Sequence, residues 1–298
     1  MTPTTIYALG FFDGVHMGHG ALLRACKRLA EEKGMKAGAI TFGEHPLSLV
    51  AGKSPGLIST VADRKRLMES LYGIEEIIVL PFDKALMTMP WQTFFKMLLS
   101  RYHAAGLVCG HDYRFGSLGE GTPELLKNAC EEAGIPCIIV PEQRIDGVTV
   151  SSTYIRRLIK EGDMERARIF LGHPHLFTGP VVPGRHIGRT IGFPTANLFF
   201  PNVMLCPKKG VYASVVIAEG KRYMAVTNVG NRPTVGGGYT NVESWLLDFD
   251  GDLYGKNVTL EFHKYLRQER KFDSLESLRQ EIEKNGEQTR NFFQKTGF

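Results

Sequence analysis

The sequence predicts an α/β domain followed by a β domain: a parallel sheet wrapped by helices, then a small antiparallel β-barrel with a terminal helix. Three observations carry this. Through the first half, short apolar runs alternate with amphipathic stretches at helical spacing, the pattern of a parallel sheet covered on both faces. After about residue 170, glycine and proline punctuate short alternating segments, the pattern of an antiparallel barrel or sandwich. At 298 residues the chain suits two domains of ordinary size. We therefore expect a first domain over 1–170, a linker over 171–178 and a second domain over 179–298.

The elements follow in order. Ile6–Leu9, Ala37–Thr41, Ile77–Leu80, Leu107–Cys109 and Cys137–Val140 are apolar runs of strand length. Between them, Leu22, Cys26 and Leu29 recur at helical spacing. So do Leu67, Met68 and Leu71, and Trp91, Phe94, Phe95, Leu98 and Leu99. Gly172-His173-Pro174-His175 reads as a linker. Beyond it, Val211–Ile217 and Tyr223–Val226 read as strands. Val258–Phe262 alternates, with Val258, Leu260 and Phe262 on one face. Leu275, Leu278, Ile282 and Phe292 mark a final helix from about Ser274 to Phe293.

Composition narrows the class. Hydrophobic residues make up 43% of the chain, enough for proper cores, and charged residues 22%, which argues against disorder. The net charge of +5 is scattered. Its densest stretches, such as Arg64-Lys65-Arg66, are short and read as a solvated helix face at least as well as a nucleic-acid contact. Mild basicity also suits polyphosphate substrates. The five cysteines form no Cys-x-x-Cys pair and several sit in apolar patterns. They read as reduced, in a cytoplasmic protein. The N-terminus lacks the features of a signal peptide, and no apolar run approaches a membrane span.

The most informative segment is Gly10-Phe11-Phe12-Asp13-Gly14-Val15-His16-Met17-Gly18-His19, directly after the first strand. A strand, a glycine-rich turn and a helix start favour anions, because backbone N–H groups and the positive helix end converge there. Gly14 and Gly18 allow close approach to a ligand. His16 and His19 can donate to phosphate oxygens. The competing readings are two surface histidines, or a zinc pair with no further ligand close by in sequence. Val150-Ser151-Ser152-Thr153-Tyr154-Ile155-Arg156 opens another helix. Capping alone explains a serine there, whereas Arg156, one turn on, offers a guanidinium to phosphate. Asp112, in the run Gly110–Gly116 after the fourth strand, is either a turn former or a ligand contact. Thr41–Pro46, which includes His45, has the same ambiguity.

In the second domain, Thr195 and Asn197 of Gly188–Asn197 are spaced to point the same way. A hydroxyl and an amide carbonyl are hard oxygen ligands suited to magnesium on a nucleotide. A Pro-Thr turn with Asn-mediated backbone bonding is the alternative. Glu243 shares its strand face with Trp245, Leu247 and Phe249. A carboxylate there is costly unless it is paired or functional. It is either a buried ion pair or a general base for a substrate hydroxyl.

Together these strings resemble the prokaryotic bifunctional riboflavin kinase/FAD synthetase family, essentially end to end. The first domain resembles its Rossmann-like adenylyltransferase in Gly10–His19, Thr41–Pro46, Gly110–Gly116 and Ser151–Arg156. The second resembles its riboflavin kinase in Gly188–Asn197, Gly210–Tyr212, Asn228–Thr234, Val242-Glu243, Gly251–Gly255 and Leu266–Phe272. The resemblance implies that riboflavin and ATP give FMN and ADP, and that FMN and a second ATP give FAD and pyrophosphate. It implies Glu243 as base, and Thr195 and Asn197 as holders of Mg2+. Gly184, Gly188, Gly192, Pro194 and Arg267 would bind ATP or flavin in the kinase. In the adenylyltransferase, His16, His19 and Arg156 would be catalytic. Gly10, Phe11, Asp13, Gly18, Ser152 and Thr153 would bind ATP, and His45 and Asp112 would bind flavin. The implied partners are small molecules, with no nucleic acid and no membrane, in a monomer or weak homo-oligomer.

Three features depart from the family pattern. Trp245 stands where a histidine is expected, Glu283-Lys284-Asn285 lacks an expected aspartate, and Gly236-Gly237-Gly238 makes a loose loop. Rival readings are a single-activity nucleotidyltransferase with an accessory β domain, a non-catalytic flavin-binding protein, and a tRNA-charging enzyme. The Pro-Thr-Ala-Asn run and Glu243 argue against the first. The intact histidines and Glu243 argue against the second. The Ser-Ser-Thr helix start and the lack of an RNA-sized basic surface argue against the third.

Overall fold

Buried β1 (Thr5–Leu9) lies at the centre of a parallel sheet whose strands are short because both faces are covered. The computed structural model describes residues 4–44, 55–184, 192–232 and 239–298. The chain forms two compact units, 1–57 with 61–152, and 58–60 with 153–298. In the first, β2 (Lys36–Phe42), β3 (Glu76–Leu80), β4 (Ala104–Gly110) and β5 (Cys137–Val140) join β1 in the order β3-β2-β1-β4-β5. Helices α1 (Met17–Lys33), α2 (Val61–Tyr72), α3 (Lys84–Met87), α4 (Trp91–Ser100) and α5 (Pro123–Glu132) alternate with the strands. Phe94, Phe95 and Leu98 of α4 and Leu126 and Cys130 of α5 pack against Tyr7, Leu9, Ile40 and Leu107 of the sheet. The strand order reverses direction between β1 and β4, and the crevice beyond such a switch point is where ligands bind in open parallel sheets. A short hairpin, β6 (Arg144–Ile145) and β7 (Val148–Thr149), precedes α6 (Ser152–Glu161).

The second unit contains α7 (Met164–Leu171), β8 (His175–Pro180), β9 (Thr195–Phe199), β10 (Gly210–Ala218), β11 (Lys221–Arg232), β12 (Tyr239–Leu246) and β13 (Asn257–Arg267). The six strands form a curled antiparallel half-barrel in the order β8-β13-β10-β11-β12-β9. Its outer strands approach each other: just past β8, the Val182 N–H donates to the Asn197 carbonyl at 2.8 Å. Along β13, Val258, Leu260 and Phe262 are buried as their spacing predicts, but Thr259, Glu261 and His263 between them are buried too, so both faces of this stretch are covered rather than alternately exposed. The final helix, α8 (Leu275–Thr296), starts at an N-cap on Ser274 whose hydroxyl accepts from Ser277 N, forming a capping box. The stretch 171–178, expected as a linker, holds the end of α7 and the start of β8, which pairs with β13.

His175 opens β8 at 2% exposure, stacked on Phe262, and among the described residues neither ring nitrogen has a hydrogen-bond partner. Burial, aided by nearby His173, holds its pKa down from 6.5 to about 3. The sign follows from linkage. Below pH 6.5 the unfolded chain takes up a proton that the folded chain refuses until about pH 3, so stability is lost as pH falls. Urea unfolding at pH 7 and pH 5 should show the second unit weaker by about 2 kcal/mol at pH 5. His175→Leu should flatten that slope; an unchanged slope would exclude His175 as its source.

Candidate functional site

The first site grows from the end of β1. Phe12 adopts a left-handed backbone (φ 54°), and Asp13–Val15 form one 3-10 turn before α1 begins. His16 is the N-cap of this 17-residue helix, and its Nδ1 accepts the His19 N–H at 3.2 Å. That bond makes Nδ1 the acceptor, so the proton of the neutral ring sits on Nε2, which becomes a donor. The His16 and His19 rings stack with centroids 3.5 Å apart, and Phe12 meets His19 edge-on at 5.3 Å. A Cβ on Gly18 would come within 3.1 Å of the His16 ring, so glycine there lets the imidazole lie against the helix start. Around these histidines is the positive end of α1.

Other predicted residues arrive from the neighbouring segments. The Ser152 hydroxyl at the start of α6 donates to the Asp13 carbonyl at 3.5 Å. Thr153 and Arg156 follow three residues apart on α6, hence on one helix face. Asp13 is buried and faces Arg64. Asp112 is exposed just beyond the carboxyl end of β4, the strand beside β1. The turn after β1 and the Gly110–Gly116 run after β4 thus flank the switch point. His45 lies outside the described residues.

One expectation fails here. Arg64 is not on a solvated helix face: it is 0% exposed, and its Nη1 bonds the Phe11 and Phe42 carbonyls and the Thr41 hydroxyl. The signal was present. Arg64, Leu67, Met68 and Leu71 keep one helical spacing, which places the arginine on the apolar stripe of α2.

The second site is a row across the half-barrel. Glu243 of β12 lies directly opposite Asn197 of β9 on one side and Asn228 of β11 on the other. Thr195 is opposite Trp245 in the same register. Directly opposed residues put their Cβ atoms about 5 Å apart, so the hard oxygens of β9 and the carboxylate of β12 share one face. Glu243 accepts from the Asn241 amide at 2.7 Å. Among the described residues no Lys or Arg side chain is paired with it. Asn197 is 4% exposed, and its Oδ1 is buried without a hydrogen-bond partner among the described residues. Gly184 lies so close that a Cβ there would stand 2.3 Å from the Asn197 amide nitrogen. A buried, unpartnered amide oxygen beside a threonine hydroxyl fits a hard cation that keeps phosphate and water as its other ligands.

Two cavities meet at Thr195. One, of about 320 Å³, is lined by Val181, Pro194, Asn197, Asp250, Asp252 and Tyr254 among others. The other, of about 290 Å³, is lined by Phe193, Glu243, Trp245, Arg267, Phe272 and Asn285 among others. Thr195 lines both, so a reacting group can lie between a nucleotide on one side and a flat apolar body on the other. Trp245 meets Phe193 edge-on at 4.8 Å, and Gly286 of α8 leaves room for its ring. Arg267 donates from Nε to the Asn285 Oδ1 at 3.0 Å and pairs with Glu281, which Arg270 also holds. Asn285, in the Glu283-Lys284-Asn285 stretch that lacks the expected aspartate, therefore orients Arg267 at the cavity wall. Gly192 is exposed with φ 89°. Gly188 and the Gly236–Gly238 run lie outside the described residues. Asn228 and Asn241 were not singled out in the sequence: only strand register puts Asn228 of β11 beside Glu243, whereas Asn241, two residues before Glu243 on β12, shares its face by alternation.

Comparison with known proteins matches both halves of the chain to known families. The FAD synthetase family model matches residues 1–154, and the riboflavin kinase family model matches residues 171–293. The bifunctional riboflavin kinase/FMN adenylyltransferase of Bacillus subtilis is 34% identical over 298 residues, covering 97% of this chain and 92% of that protein. Its namesake from Escherichia coli K12 is 34% identical over 291 residues, covering 97% and 92%. A crystal structure described as a macrolide-efflux protein from Streptococcus pneumoniae superposes with a TM-score of 0.87 at 34% identity, covering 98% of this chain and 95% of that one. That description belongs to that protein; among the described residues here, no helix is long and apolar enough to cross a membrane.

Proposed function

This chain belongs to the bifunctional riboflavin kinase/FMN adenylyltransferase family, and from that premise we propose which residues carry each reaction. The protein phosphorylates riboflavin with ATP to FMN, and adenylylates FMN with a second ATP to FAD with release of pyrophosphate. We assign adenylyl transfer to 1–170, phosphorylation to 179–298 and the connection to 171–178.

In the kinase, riboflavin lies in the cavity walled by Phe193, Trp245 and Arg267, and ATP in the cavity beyond Thr195. The terminal ribityl hydroxyl attacks the γ-phosphorus of ATP, the bond to the β–γ bridging oxygen breaks so that ADP leaves, and Glu243 takes the hydroxyl proton. Gly184, Gly188, Gly192 and Pro194 lie along the nucleotide. Thr195 and Asn197 hold Mg2+, which when bound neutralises phosphate charge. Catalysis of this kind is mainly positioning and charge neutralisation. The single observation that carries the assignment is the register of Glu243 opposite Asn197, with Thr195 shared by both cavities.

In the adenylyltransferase, the FMN phosphate attacks the α-phosphorus of ATP and pyrophosphate leaves. His16 Nε2 and His19 donate to phosphate oxygens as charge builds. Gly10, Phe11, Asp13 and Gly18 shape the turn. Ser152, Thr153 and Arg156 hold the β- and γ-phosphates. His45 and Asp112 contact the flavin. We read the protein as cytoplasmic, a monomer or weak homo-oligomer, without nucleic-acid partners.

The test is product analysis with riboflavin, ATP and magnesium, beside FMN, ATP and magnesium. FAD from both is expected, and chelation of magnesium should stop both. FAD from FMN alone would overturn the kinase assignment and direct attention to Trp245.

A further inference from the structure

We propose that Arg64 is a positioning residue for adenylyl transfer: its buried guanidinium fixes the phosphate-binding turn and keeps strand-end carbonyls off the nucleotide. This rests on the reading that Gly10–His19 holds ATP. Of the run Asp63-Arg64-Lys65-Arg66, only Arg64 among the basic residues is fully enclosed, while exposed Arg66 turns back to Asp63 at 2.6 Å. Arg64 Nη1 donates to the Phe11 carbonyl at 2.9 Å, the Phe42 carbonyl at 2.9 Å and the Thr41 hydroxyl at 3.1 Å. Thr41 in turn donates to the Phe11 carbonyl at 2.7 Å. The guanidinium carbon stands 4.4 Å from the centre of the Phe11 ring, and Nη2 stands 4.0 Å from an Asp13 carboxylate oxygen.

These contacts have one geometric consequence. Phe42 ends β2, and Phe11 lies two residues beyond the end of β1. At the carboxyl ends of parallel strands, carbonyl lone pairs point toward the crevice that a triphosphate would enter, where they repel it. Arg64 ties two carbonyls, one at the end of β2 and one in the turn after β1, to a single cation. It also places a positive charge under Phe11 and beside Asp13, so that the carboxylate is balanced before a polyanion arrives. Burial alone does not account for an arginine here. Desolvation lowers its pKa to about 10, and among the described residues Nε and Nη2 are buried with no hydrogen-bond partner. Methionine fills similar volume without that cost. What methionine lacks is the ability to hold three oxygens in one arrangement.

The experiment compares Arg64→Met, Arg64→Lys and His19→Ala in the full chain, with both reactions followed separately. Arg64→Met should raise KM for ATP in adenylylation about tenfold and lower kcat/KM about 10²-fold, with KM for FMN and riboflavin phosphorylation within about twofold of wild type. Arg64→Lys should recover part of the loss. A merely structural role would reduce the active fraction, lowering kcat while leaving both KM values alone; that result overturns the proposal. If Arg64→Met does not fold, Arg64→Lys decides: a raised KM for ATP supports the proposal and an unchanged one overturns it. Failure of both variants to fold also overturns it, because it makes Arg64 a core residue. Loss of adenylylation in His19→Ala but in neither Arg64 variant removes Arg64 alone. Wild-type adenylylation in all three removes the assignment of the turn.

Discussion

Glu243→Gln is expected to cut riboflavin phosphorylation by about 10³-fold, while the same protein adenylylates FMN at its wild-type rate. The substitution keeps size and shape. A glutamine carbonyl still accepts from the Asn241 amide that now bonds the Glu243 carboxylate at 2.7 Å, so the local packing survives. What disappears is the capacity to take a proton. The loss should therefore fall on kcat, with KM for riboflavin nearly unchanged, the signature of an interaction made in the transition state. Single-turnover FMN formation measures it, and FAD formation from supplied FMN is the internal control. If the variant makes FMN at the wild-type rate, Glu243 is structural and the row from Asn197 to Asn228 needs another explanation. Equal loss in both reactions would show a damaged fold instead. The position of Asn197 sharpens the expectation. Its Oδ1, without a partner among the described residues, lies opposite Glu243, so on the proposed roles the base and the phosphate-side ligand would already sit at neighbouring register positions.

The parallel sheet was legible because its strands are buried on both faces: runs such as Ile6–Leu9 and Ala37–Thr41 leave no polar alternative. The turn after β1 was legible for a local reason, since ten consecutive residues carry the glycines, the histidines and the helix start. β8 was less so. Gly172-His173-Pro174-His175 looks like a connection by composition, yet His175 is nearly inaccessible because Phe262 and the sheet enclose it. The kinase site was half legible. Thr195 and Asn197 share a face by alternation alone, but the position of Asn197 opposite Glu243 depends on pairing between segments about 45 residues apart in sequence, which periodicity does not report. Arg64 shows the opposite failure. Charge drew the reading outward, although the helical spacing to buried Leu67 and Met68 pointed inward.

His16→Asn and His19→Ala should each lower FMN adenylylation by about 10²-fold and leave riboflavin phosphorylation intact. The choice of asparagine at position 16 follows from the cap. His16 Nδ1 accepts the His19 N–H, and loss of an N-cap acceptor costs about 1 kcal/mol of helix stability, which would confuse an alanine result. Asparagine supplies a replacement acceptor to the helix and removes the Nε2 donor. At position 19 the imidazole stacks on His16 and touches Phe12, so alanine removes a ring without removing a cap. The kinetic pattern should differ from that at Arg64. Donors that meet charge as it develops lower kcat with little change in KM for ATP, whereas a residue that shapes the resting turn raises KM. Initial rates over a range of ATP and FMN concentrations separate the two. Unchanged kcat in both histidine variants would mean that the backbone N–H groups and the positive end of α1 stabilise the leaving pyrophosphate without the imidazoles.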